Sequence, residues 1–221
     1  MRRILHENGL SIAMFAIFAA TLIGLIFTGW DTYNQEQEDH DQPRAGLAEY
    51  LTTPDFGEAV FENWESEFLQ MGSYVLLTVF LFQKGSSESK KLDNSDAVNE
   101  DPRKAQRRKN VPSPVRRGGL VLAVYEHSLT IAMFTLFFLS FALHVVTGAA
   151  RYSAEQVEHG GEPATAAEYL FTSQLWFESM QNWQSEFLAV GVLIVASIYL
   201  RERGSSESKP VASPHDETGS E

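Results

Sequence analysis

Apolar residues along this chain come in blocks, and two of them, 10–28 and 129–148, hold no Asp, Glu, Lys or Arg over the length that a bilayer core demands. Two further blocks, 68–82 and 187–200, are only 15 and 14 residues long. At 1.5 Å per residue they cover roughly 22 Å of a hydrocarbon core about 30 Å thick. Lys84 and Arg201 close their far ends, so the missing turn has to come from the N-terminal side. The polar segments 63–67 and 182–186 are thereby drawn against or into the hydrocarbon. The pattern predicts an all-α integral membrane protein with four spans.

The blocks are related. An offset of 119 residues, without a gap, aligns Leu10, Ile12, Ala13, Met14 and Phe15 with Leu129, Ile131, Ala132, Met133 and Phe134. The same offset pairs Ala48-Glu49-Tyr50-Leu51 with Ala167-Glu168-Tyr169-Leu170, and Asn63-Trp64 with Asn182-Trp183. The chain therefore reads as a first helical-hairpin repeat over 1–84, a basic linker over 85–118, a second hairpin repeat over 119–204 and a tail over 205–221. Ser, Asn, Asp and basic residues crowd the linker, and a similar bias marks the tail, so both are expected to be disordered. Each hairpin has an even number of spans, which makes the repeat parallel and the product a four-helix bundle whose helices extend beyond the membrane.

Charge orients this arrangement. Of 17 Lys and Arg, ten lie between Lys84 and Arg117, Arg2 and Arg3 precede the first span, and Arg201, Arg203 and Lys209 follow the fourth. Only Arg44 and Arg151 fall in the other two loops. The positive-inside rule then puts both termini and the linker in the cytoplasm. Trp30, Trp64, Trp176 and Trp183 stand at the outer helix ends, where an interfacial aromatic belt belongs. The apolar run behind Arg2 and Arg3 is too long for a signal peptide, and its internal partner at 129–148 argues that it stays as a span. A net charge of -12 argues against a nucleic-acid partner, and the absence of cysteine excludes disulfides and thiolate sites.

Two constellations carry candidate chemistry. Beyond the first span, Gly29, Tyr33, Glu36, Gln37 and His40 share one helical face, kept in the second copy as Gly148, Tyr152, Glu155, Gln156 and His159. Glu36, His40, Glu155 and His159 could hold a metal or share a proton near the repeat axis, or form ordinary exposed helix pairs beside a packing seam. The second constellation is Asn63, Ser66, Glu67 and Gln70, with Asn182, Ser185 and Glu186, an ion or proton stripe at membrane depth or polar glue between helices. His144, opposite Leu25 in the other copy, reads as a packed residue. The segments 85–90 and 204–209, both Gly-Ser-Ser-Glu-Ser-Lys, begin as helix C-caps, and their remainder has no explanation in sequence terms. No catalytic motif accompanies them, so a non-enzyme is expected, and no cofactor is implied.

The His-Glu-Asn-Gly-Leu-Ser start, the Ala-Glu-Tyr-Leu loop, the Asn-Trp-x-Ser-Glu-Phe motif and the Gly-Ser-Ser-Glu-Ser-Lys ends together resemble a family of uncharacterised bacterial membrane proteins, described as a domain of unknown function. The resemblance covers nearly the whole chain. It implies a bacterial inner membrane and transfers no activity. Gln70 against Ala189 and Glu65 against Gln184 are departures between the copies. The functional expectation is a small, oligomeric, transport or channel-like protein handling a cation or proton. Its alternative is a structural or sensory protein whose acidic ectodomain binds a divalent cation or a membrane partner.

Overall fold

The computed structural model describes residues 2–93, 95–105, 108 and 110–219. Asn94, Gln106, Arg107 and Lys109 of the linker, and Ser220 and Glu221 of the tail, lie outside the described residues, as does Met1. The described chain is helical and contains no strand. Its elements are α1 (Arg2–Glu7), α2 (Gly9–Asp39), α3 (Leu47–Tyr50), α4 (Pro54–Phe80), α5 (Ser113–Arg117), α6 (Gly119–Glu126), α7 (Ser128–Glu158), α8 (Ala166–Tyr169) and α9 (Ser173–Tyr199). α2 and α7 are both 31 residues long and start 119 positions apart; α4 and α9 are both 27 residues long and share that offset.

Two helices, α2 and α7, are long and apolar enough to cross a membrane, with 18-residue windows of mean hydropathy 2.5 and 2.2. None of the α2 window and 17% of the α7 window is buried inside the protein. Apolar surface left this open is unfavourable in water by about 25 cal/mol per Å², whereas lipid tails accept it. α4 and α9 contain no such window among the described residues. The reason is local: their apolar stretches begin only after Glu67 and Glu186, and their first halves are polar.

The chain divides into two compact units, Met1–Phe61 with Leu143–Thr172, and Glu62–Ala142 with Ser173–Glu221. In the first, Tyr50 and Tyr169 are buried at 3% and 0% exposure. Each comes from the repeated Ala-Glu-Tyr-Leu turn and lies against a glycine of a long helix, Tyr50 on Gly29 and Tyr169 on Gly148. Each also meets the repeated tyrosine one turn on, with ring centroids 5.6 Å apart for Tyr33 and Tyr50 and 5.5 Å for Tyr152 and Tyr169. Four members of the predicted functional face, the two glycines and two tyrosines, therefore serve packing. Glu168 accepts from the Thr165 backbone N–H at 2.8 Å and the Glu168 N–H donates to Thr165 Oγ1, a capping box; Glu49 accepts from Gly46 N–H in the other copy. The loop ahead of α3 is tied to α2 by Asn34, whose amide exchanges two hydrogen bonds with the Ala45 backbone.

The second unit packs Gly72 of α4 against Met133 and Phe134 of α7, and sets Phe137 of α7 6.3 Å from Trp183 of α9. Segments expected to be disordered hold defined turns here. Gly85 at φ 88° and Gly204 at φ 92° are left-handed, but they lie five residues beyond Phe80 and Tyr199, where α4 and α9 end, so they shape the following turns and are not the helix C-caps expected from the sequence. The serines then close the turn: Ser86 Oγ accepts from Glu88 N–H at 3.1 Å and Ser89 Oγ from Gln83 N–H at 2.9 Å. Ser205 and Ser208 do the same for Glu207 and Glu202, at 3.1 and 3.0 Å. Lys209 is 1% exposed and donates to the carbonyls of Pro214, His215 and Glu217. Thr218 Oγ1 accepts from Gly85 N–H at 2.8 Å, so the tail returns to the first copy of the motif. Each repeated hexapeptide is thus a turn closed by its own serines.

Candidate functional site

The first unit contains a cleft of about 1100 Å³ lined by Glu36, His40, Glu155, Glu158 and His159, with Asp55 and Arg151 at its wall. The geometry follows from helix ends. α2 stops at Asp39 and α7 at Glu158, and the histidine that follows each folds back, with His40 Nδ1–H donating to the Glu36 carbonyl and His159 Nδ1–H to the Glu155 carbonyl, both at 2.8 Å. A carbonyl can only accept, so Nδ1 carries the proton and Nε2 is left as the ring nitrogen able to ligate. His40 Nε2 lies 3.5 Å from Glu158 Oε1. All four predicted metal residues line this one cleft and are exposed. No three of them bring ligand atoms within 4.8 Å of one another, and the short contact instead recruits Glu158, a residue the repeat comparison passed over because Asp39 stands in its place.

Hydrogen bonding to the Glu36 carbonyl, and then the charge of Glu158, raise the His40 pKa above 6.5. A raised value means the folded protein holds this proton more tightly than the unfolded chain does. The contribution is therefore complete below pH 6.5 and is lost as pH climbs through the raised value. In an NMR titration His40 is expected to titrate above a free imidazole, and Glu158→Gln to bring it down; an unmoved midpoint would mean that Glu158 exerts no field there.

Sequence reasoning missed two buried carboxylates, Glu58 and Glu65, and the half-buried Asp55 and Glu62 beside them. Glu58, in the first unit, is 3% exposed and accepts from Arg151 Nη1 at 2.6 Å, while Arg151 Nε lies 3.5 Å from Asp55. His144, fully buried, brings a ring nitrogen within 4.8 Å of a Glu58 carboxylate oxygen. In the second unit Glu65 is fully buried and accepts from Ser179 Oγ at 2.9 Å, and Glu62 accepts from Asn182 Nδ2 at 2.5 Å. Asp55, Glu58, Glu62 and Glu65 step by 3, 4 and 3 along α4, a single helical face. The matching positions in the other copy are Gln174, Phe177, Gln181 and Gln184, so repetition gave no signal. The signal available was the converse, a row of acids present in one copy alone.

The predicted ion stripe is divided by this packing. Ser66 and Gln70 are buried, Asn63 and Glu67 are exposed, Asn182 and Glu186 are half-buried and Ser185 is exposed. Ser66 and Ser185 donate to the carbonyls three residues back, Asn63 and Asn182, within their own helices. Gln70 Nε2 reaches the Glu186 carbonyl at 3.4 Å. The packed face of α4 is thus turned by about one residue from the expected one, with Glu65 inside and Glu67 outside.

Residues 1–220 match the family described as Domain of unknown function (DUF6766). The chain belongs to that family. No curated protein and no solved structure matches it. The DUF6766 match covers both copies of the repeated segments as well as the linker between them, and it carries no assigned chemistry to either site.

Proposed function

We propose that this DUF6766 protein is a non-enzymatic, four-span protein of a bacterial inner membrane, with both termini cytoplasmic, that handles a cation or proton through carboxylates of its helical bundle. Glu65 carries the reading. It is fully buried on α4, in the polar segment that the short apolar block of that helix draws toward membrane depth. Carboxylates in such surroundings are costly and mark ion or proton routes by default. Ser179 Oγ donates to the Glu65 carboxylate at 2.9 Å, and a carboxylate is a group that can take up and release a proton or small cation. Flux of protons, sodium and potassium in proteoliposomes tests it: Glu65→Gln is expected to abolish flux, with Glu67→Gln, exposed, changing it little. Wild-type flux in a folded Glu65→Gln protein would overturn the assignment.

A second reading has one observation in its favour, the acidic cleft that both repeated Glu/His pairs line. On that reading the protein senses or binds a divalent cation outside the membrane and transports nothing. Absence of flux for every cation tried, together with a rise in melting temperature on adding zinc or manganese, would favour it.

A further inference from the structure

The chain is strongly acidic, yet residues 102–117 contain seven Lys or Arg and no Asp or Glu. The structure folds part of this run into a small platform in the second unit. A turn at Pro102–Ala105 packs against α5, and α5 packs against α6. Val115 and Leu122 form its interior, at 7% and 2% exposure. Gly118 and Gly119, at φ 66° and 58°, reverse the chain between the two helices, a conformation that a side chain would strain. Arg103, Lys104, Arg116 and Arg117 are left exposed. Arg103 is 3.5 Å from Asp101 and 3.9 Å from Glu126; among the described residues Lys104, Arg116 and Arg117 have no carboxylate within ion-pair distance.

The same platform exposes apolar side chains. Leu120 is 85% exposed, Val124 58% and Tyr125 44%, and all three belong to α6, which is separated only by His127 from the start of α7. A linker that is merely solvated has no use for such a set beside its bases. An amphiphile has one: anionic oxygens would meet the guanidinium and ammonium groups, and hydrocarbon would meet Leu120 and Val124. Its position immediately ahead of a helix able to cross a membrane puts that amphiphile in the lipid leaflet.

We infer that the basic platform of α5 and α6 binds an anionic phospholipid of the cytoplasmic leaflet, with Arg116, Arg117 and Lys104 on the phosphate and Leu120 and Val124 along the acyl chains. The inference rests on the membrane-spanning reading of α7 and is independent of whether the protein carries ions. Charge complementarity selects this occupant, since these bases stand in a chain whose net charge is -12, and the acidic remainder repels the same headgroup.

The test is retention of phosphatidylglycerol against phosphatidylcholine by the full chain in detergent, read by native mass spectrometry. The wild type is expected to prefer phosphatidylglycerol about tenfold or more, as a few bases near a lipid surface produce, and to lose that preference at high salt. Arg116→Gln with Arg117→Gln should bring it near unity, whereas Arg3→Gln with Arg203→Gln should leave it unchanged. Lys104→Gln, outside the α5–α6 contact, gives the same direction if the double variant misfolds. Equal retention of both lipids by the wild type, unchanged preference in the folded variants, or displacement of the lipid by equimolar inorganic phosphate would each overturn the proposal. A chain recovered from the aqueous phase without detergent would defeat the spanning reading and this proposal with it.

Discussion

Gly29→Ala and Gly148→Ala are each expected to lower stability by about 1–3 kcal/mol, the usual cost of overfilling a packed interior. At both positions a single added carbon runs into a buried tyrosine side chain. The two sites differ in what it strikes. At Gly29 the collision is chiefly with the Tyr50 hydroxyl, the ring carbon Cζ standing back at 3.2 Å, whereas at Gly148 the carbon lies 2.7 Å from the Tyr169 hydroxyl but also 2.8 Å from Cε1 and 3.0 Å from Cζ. Tyr50→Phe removes the first obstacle and should recover most of the loss in Gly29→Ala. Tyr169→Phe leaves the ring in place and should recover little in Gly148→Ala. Thermal unfolding in detergent of the six variants measures this; equal rescue at both sites would mean that the two turns are packed alike, contrary to these distances.

Arg151→Met is expected to cost about 2 kcal/mol, and to cost much less when Glu58→Gln is made with it. Removing one member of a buried ion pair leaves the other charge without its counterion and typically costs 3–5 kcal/mol. The value here is reduced because Arg151 is itself 51% exposed, while the Glu58 side chain is 4% exposed. The penalty therefore falls on the buried Glu58 carboxylate, which loses this guanidinium, and neutralising that carboxylate should relieve it. A double-mutant cycle isolates the coupling. A loss below about 0.5 kcal/mol for Arg151→Met, the scale of an exposed pair, would show that water reaches Glu58 in solution.

The Arg151 experiment also shows why the candidate site was only partly legible. Glu36, His40, Glu155 and His159 were found because their spacing is local and the second copy repeats it, and the cleft does gather all four. Glu58, Glu65, Arg151 and His144 have Phe177, Gln184, Thr32 and Leu25 at the matching positions, so comparing the copies filtered them out. In Glu49, Tyr50, Gly29 and their counterparts, repetition marked capping and packing as readily as chemistry.

What the chain determines by itself is everything that depends on neighbours three or four residues away. The 119-residue offset, the long apolar helices α2 and α7, the start of α4 at Pro54 and the left-handed glycines after α4 and α9 are of this kind. Only the tertiary structure decided which polar groups are enclosed. Arg151 and Glu58 are 93 residues apart in sequence, and Ser179 and Glu65 are 114 apart. Hydropathy and helical period specify a face to within about one residue's rotation, or 100°. That margin separates the exposed Glu67 from the buried Ser66 beside it. Burial at those positions is set by the helix that arrives from the other half of the chain, and no local pattern encodes its rotation.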